Sequence, residues 1–105
     1  TRDFTFIDDT VDGIILAARK KSAENQLFNL GTGKETEILK IAKIILKLSK
    51  SKSKIVFKPR RTFDPITRRK MDISKAKHLL GYSPKTYIKD GLKITFDWFN
   101  GGDFN

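Results

Sequence analysis

The chain has 105 residues, 38% of them hydrophobic, no cysteine, one histidine and a net charge of +10. That is room for one small domain with a modest core. It excludes disulfide frameworks, thiolate metal sites and histidine-based nucleophile pairs, and no apolar run approaches the roughly 20 residues of a membrane helix.

The chain opens Thr1-Arg2-Asp3-Phe4, without an initiator Met or a polar lead-in. This suggests a cut inside a longer protein, and with no signal-peptide pattern a cytoplasmic location is expected. Phe4-Thr5-Phe6-Ile7 has the aromatic and β-branched content of a short strand. Asp8 and Asp9 can cap the helix that follows, and Val11, Ile14, Ile15 and Ala18 give residues 9–20 an apolar stripe at helical spacing. Residues 20–25 are a polar loop. Leu27-Phe28-Asn29-Leu30 is a second strand, ending in the turn Gly31-Thr32-Gly33.

Thr36 and Glu37 open a stronger helix, with Ile38, Ile41, Ala42, Ile45 and Leu48 as its buried stripe. Lys40, Lys43, Lys47 and Lys50 fall on its other side, the late ones suiting the helix dipole. Alternating Ser and Lys make a solvated connection to a third strand, Ile55-Val56-Phe57. Residues 60–71 have no clear period. Asp72 can cap a short helix over 73–80, with Gly81 as its C-terminal glycine. Thr86 can cap a last helix through Ile88, Leu92, Phe96 and Phe99, ended by Gly101-Gly102. Strands alternating with helices predict an α/β lobe of about three short strands and four helices, with parallel pairing. Three strands are too few for a complete doubly wound sheet, so the lobe should lean on something larger.

Two segments could carry chemistry. Gly31-Thr32-Gly33-Lys34-Glu35-Thr36 sits between strand and helix, the setting of a phosphate loop. It lacks the third glycine of a dinucleotide fingerprint and the spacing of a P-loop. A plain glycine turn is the preferred reading. The sharper feature is residues 58–70, which hold four of the six arginines: Arg60, Arg61, Arg68 and Arg69. A guanidinium fork matches phosphate oxygens in a bidentate way, and Asp64 could accept from a ribose or sugar hydroxyl. A basic surface loop without a partner is the competing reading. For catalysis the chain offers little. Neither Tyr82 nor Tyr87 has a lysine four residues on, so the helical Tyr–Lys pair that makes a phenol a base is absent. His78 reads as a surface or boundary residue.

Several segments together resemble the C-terminal third of extended short-chain dehydrogenase/reductase proteins, the NAD-dependent sugar-nucleotide epimerase/dehydratase family. Arg2-Asp3-Phe4-Thr5-Phe6-Ile7-Asp8-Asp9 resembles its Arg-Asp-aromatic strand, Phe28-Asn29-Leu30-Gly31-Thr32-Gly33 its Asn-hydrophobic-Gly turn, and residues 72–84 its Asp-Ile-Ser-Lys-Ala…Leu-Gly-aromatic-x-Pro segment. Gly91-Leu92 through Trp98-Phe99 is similar to its closing helix. The resemblance implies that residues 1–105 are a C-terminal nucleotide-sugar-binding lobe, and that the NAD(P)-binding Rossmann domain with the Tyr-x-x-x-Lys pair belongs to a part outside this chain. It implies no catalytic, cofactor-binding or metal residue here. The family's substrate-binding arginines carry onto Arg2 and onto Arg61 with Asp64, or onto Arg60 in the alternative register; Phe63 stands where glycine is usual. Arg68 and Arg69 resemble arginines of the UDP-glucuronate decarboxylase branch and are secondary positions.

The resemblance therefore implies a lobe that clamps the diphosphate and ribose of a nucleotide-diphosphate sugar, partnered by the Rossmann domain. The net charge leaves a second hypothesis, a free-standing basic module that binds nucleic acid. Against it, the aromatics follow core periodicity and make no stacking surface. A fragment that binds nothing when isolated is the third. No membrane partner is expected.

Overall fold

The computed structural model of the chain describes residues 1–101. Four α-helices follow in chain order: α1 (Ile7–Arg19), α2 (Ile38–Ser49), α3 (Ser74–Leu80) and α4 (Ile88–Gly101). A single helical turn, Lys21–Ala23, follows α1. The helix number is as expected. The expected end at Gly101-Gly102 lies partly outside the described residues, since Gly102 is beyond them.

The caps are partly as expected. Asp72 stands one residue before the N-cap of α3, Ile73, and accepts from the backbone N–H (3.0 Å) and hydroxyl (2.5 Å) of Ser74 at the start of that helix. Gly81 ends α3 at φ 66°, a left-handed conformation that glycine adopts without a Cβ penalty. Asp8 and Asp9 do not cap α1. The helix starts two residues earlier than their position requires, with Phe6 at its N-cap, so both carboxylates fall inside the first turn. Asp9 is buried and accepts from the backbone N–H of Lys85 (3.0 Å) and Thr86 (2.9 Å). It ties α1 to the approach of α4.

The core is small and sits on α3. Ile73, Ala76, Leu80 and Tyr82 are buried, with Leu16, Ala17, Ala23, Phe28 and Leu30 packed around them. α1 rests on α3, and α2 rests on α4; Ile41 is the buried residue of α2. Gly13 lets Leu30 lie against α1: a Cβ there would stand 2.6 Å from a Leu30 methyl.

The three expected strands do not appear as ladders among the described residues. The pairing present is one antiparallel bridge, Arg2 with Thr36. A strand is defined by hydrogen bonds to a neighbour, and residues 4–6, 27–30 and 55–57 run without one. Ile55-Val56-Phe57 is exposed throughout.

The apolar stripes are also only half used. Ile41 of α2 is buried, but Ile38 and Ile45 are exposed. On α1 the buried face is Asp9 and Gly13, while Val11, Ile14 and Ile15 face outward. On α4, Trp98 and Phe99 are exposed. The radius of gyration is 16.6 Å, against about 13 Å for a compact domain of this length. The chain is open, and much apolar surface lies outside.

Candidate functional site

The N-terminal residues are threaded between two other segments. The Arg2 N–H donates to the Thr36 carbonyl (3.0 Å), and the Thr36 N–H donates back to the Arg2 carbonyl (2.8 Å). On the other side the Arg69 N–H donates to the Thr1 carbonyl (3.2 Å). Residues far apart in sequence are thereby brought side by side.

This threading places Arg2 against the arginine loop. One Arg2 nitrogen, Nη1, donates to the Thr1 carbonyl at 2.8 Å, which fixes the plane of the fork. The other, Nη2, pairs with Asp64 Oδ2 at 2.8 Å. Arg60 donates through Nε (3.2 Å) and Nη2 (3.0 Å) to the backbone carbonyl of Asp64, which holds the loop in a tight curl. The Arg61 guanidinium lies over the Phe63 ring, 5.7 Å from its centroid. Arg2, Arg60, Arg61 and Asp64 line one open pocket of about 340 Å³, with Ile38 and Thr67 among its walls. Three guanidinium charges against one carboxylate leave it positive, and an anion with several oxygens is the chemistry it suits.

Arg68 lies outside that lining. It forms an ion pair with Glu35, which also accepts from the Thr1 hydroxyl at 2.8 Å. The hydrogen bond from Arg68, then that from Thr1, hold the Glu35 carboxyl at about 2, well below its ordinary value. Four of the five expected binding residues therefore converge, and the fifth is engaged by a carboxylate of another segment.

The glycine turn is already filled. Asp3 Oδ2 accepts from the Gly33 N–H at 2.8 Å, and Asp3 Oδ1 accepts from the Thr32 N–H (3.0 Å) and hydroxyl (2.5 Å). A phosphate loop offers such N–H groups to an anion; here a side-chain carboxylate takes them and adds negative charge. The residues of this turn do not fit a dinucleotide pyrophosphate. A Cβ on Gly31 would stand 2.7 Å from Met71 Cβ and 2.9 Å from the same Asp3 oxygen, so the close approach needs glycine. Tyr82, buried in the core, donates its hydroxyl to the Gly31 carbonyl at 2.8 Å.

Asp3, Asp9 and Tyr82 are the residues whose work the sequence did not disclose. The one available signal was a carboxylate, Asp3, beside the apolar run 4–7. Such a group needs donors, but nothing in the sequence says where they come from. Among the described residues no group of three or more His, Asp or Glu side chains could hold a metal ion. No described helix is long and apolar enough to cross a membrane.

The chain is similar to proteins of one family. The family model described as GDP-mannose 4,6 dehydratase matches residues 1–95. UDP-glucuronic acid decarboxylase 4 of Arabidopsis thaliana is 37% identical over 94 residues, covering 90% of this chain and 20% of that protein. The structure of the epimerase Mth375 from Methanothermobacter thermautotrophicus superposes with a TM-score of 0.91 at 36% identity, covering 93% of this chain and 29% of that one. That of UDP-glucuronic acid 4-epimerase from Bacillus cereus, in complex with UDP-glucuronic acid and NAD, superposes with a TM-score of 0.77 at 34% identity, covering 93% and 31%. The chain thus spans less than a third of the length of these relatives.

Proposed function

This chain belongs to the GDP-mannose 4,6-dehydratase family, and from that premise we propose that it is the C-terminal lobe of an NAD(P)-dependent nucleotide-sugar epimerase, dehydratase or decarboxylase. Its role is to hold the diphosphate and ribose of the nucleotide-sugar. The observation that carries this reading is the joining of Arg2 to the arginine loop in one pocket with Asp64. Arg2, Arg60 and Arg61 take the phosphate oxygens, and Asp64 accepts from a ribose hydroxyl. Arg68 is secondary, because it must first leave Glu35 to reach a ligand.

NAD(P) belongs to the rest of the enzyme, where it oxidises the sugar and returns the hydride. This lobe acts earlier and at a distance. It fixes one end of the substrate, and that binding energy positions the other end. The outward apolar residues of α1 and α4 support a second role as a docking face for the Rossmann domain, the remaining partner.

Calorimetric titration of the chain with UDP, UDP-sugars, dTDP-sugars and a short duplex DNA at two salt concentrations tests the reading. Binding of nucleoside diphosphates is expected, weakened about tenfold or more by Arg2→Gln, since a charge-assisted bidentate contact is worth on the order of 1.5–3 kcal/mol. Steep, salt-dependent DNA binding without any response to nucleotides would instead favour a basic nucleic-acid module.

A further inference from the structure

We infer that Asp64 is an internal competitor for Arg2, which a diphosphate displaces and a single phosphate does not. The inference rests on the reading that this pocket takes a diphosphate.

The geometry is specific. Arg2 has one nitrogen committed to the Thr1 carbonyl and one to Asp64 Oδ2, each at 2.8 Å. Three of its five N–H groups are not used in these bonds, but a phosphate brought onto them lies against the Asp64 carboxylate, and like-charge repulsion drives Asp64 off the fork. Arg60 and Arg61 stand differently. Arg60 is held by a neutral carbonyl and Arg61 lies over a ring, and both are exposed. An incoming anion can therefore engage these two without touching the Arg2–Asp64 pair. A single phosphate is satisfied there. A second phosphoryl group is what reaches Arg2 and offsets the loss of its carboxylate.

The pair is suited to this. Its side chains are 27% and 43% exposed, so solvent screens it and it is a weak bond, not a lock. The released carboxylate stays beside the ligand, because Arg60 pins the backbone of the same residue. Displacement from Arg2 thus delivers Asp64, as an acceptor, to a hydroxyl next to the diphosphate. One residue keeps the smaller anion off Arg2 and reads the larger ligand.

The test is calorimetry of the 105-residue chain with inorganic pyrophosphate and inorganic phosphate. Asp64→Asn keeps the shape and removes the charge. It is expected to tighten pyrophosphate roughly two- to fivefold, the range set by an exposed ion pair. Phosphate should gain by a larger factor, so that discrimination between the two narrows. Asp64→Glu, which keeps the competing charge, should show no gain. In an Arg2→Gln background the Asp64→Asn gain should vanish. Pyrophosphate binding that Asp64→Asn leaves unchanged or weakens overturns the inference alone, as does a gain that survives without Arg2 or an unchanged ratio of the two anions. Failure of the unsubstituted chain to bind either pyrophosphate or UDP overturns the diphosphate reading itself.

Discussion

Removing the charge of Asp3 should loosen the whole assembly around Arg2. Four donors converge on that carboxylate: the Thr32 N–H and hydroxyl on Oδ1, and the Gly33 N–H (2.8 Å) and Met71 N–H (3.3 Å) on Oδ2. Asp3→Asn retains one oxygen, so two of the four donors face an amide NH₂ that cannot accept. Hydrogen bonds to a charged acceptor contribute about 1.5–3 kcal/mol each. Asp3 is only half-buried and the Thr32 hydroxyl can turn, so the sum is discounted to about 2–4 kcal/mol. For a domain of this size that is a drop in Tm of roughly 10–25 °C. Urea unfolding followed by far-UV circular dichroism measures it, with Asp12→Asn, exposed on α1, as a control expected within about 0.5 kcal/mol. A loss below about 0.5 kcal/mol for Asp3→Asn would refute the claim that this carboxylate organises the turn.

Three further outcomes are expected. Burial, then the nearby Asp9 and Asp3 carboxylates, push the Tyr82 hydroxyl above its ordinary value; the unfolded chain therefore ionises first, and stability falls as pH rises beyond about 10. Tyr82→Phe should cost about 1–2 kcal/mol near neutral pH and flatten that alkaline decline in urea midpoints measured across pH. Glu35 titrates at about 2 in the folded chain, so its contribution is complete above its ordinary value near 4.5 and is lost as pH falls toward 2; Glu35→Gln should remove that acid-side slope, and an unaltered slope would count against the Arg68 pairing. Leu80→Ala should cost about 2–5 kcal/mol, whereas Ile14→Ser, on the outward face of α1, should stay within about 0.5 kcal/mol in the chain alone; equal losses in thermal unfolding would mean that α1 is turned the other way.

Helix positions were legible in the sequence because each rests on local spacing and local caps. The 3.6-residue pattern marked α1, α2 and α4, and Asp72 and Gly81 bracketed α3 through contacts within a few residues. The family was legible too, through a string of short segments in the right order. The strands were not, since a run such as Ile55-Val56-Phe57 carries strand propensity but becomes a strand only beside a partner. Nor could the stripe on α1 reveal which neighbour covers it: Val11, Ile14 and Ile15 have the right period and face outward.

By itself, then, the sequence determined where the helices lie, that residues 58–70 concentrate guanidinium charge, and that no Tyr–Lys pair is present. Tertiary structure alone decided that Arg2 meets Asp64 across the intervening chain, that Arg68 turns to Glu35, and that Asp3 fills the glycine turn. The physical reason is range. Propensity and capping act over a few residues, whereas an ion pair or a filled turn is chosen by whichever donor and acceptor the fold brings within 3 Å or so of one another.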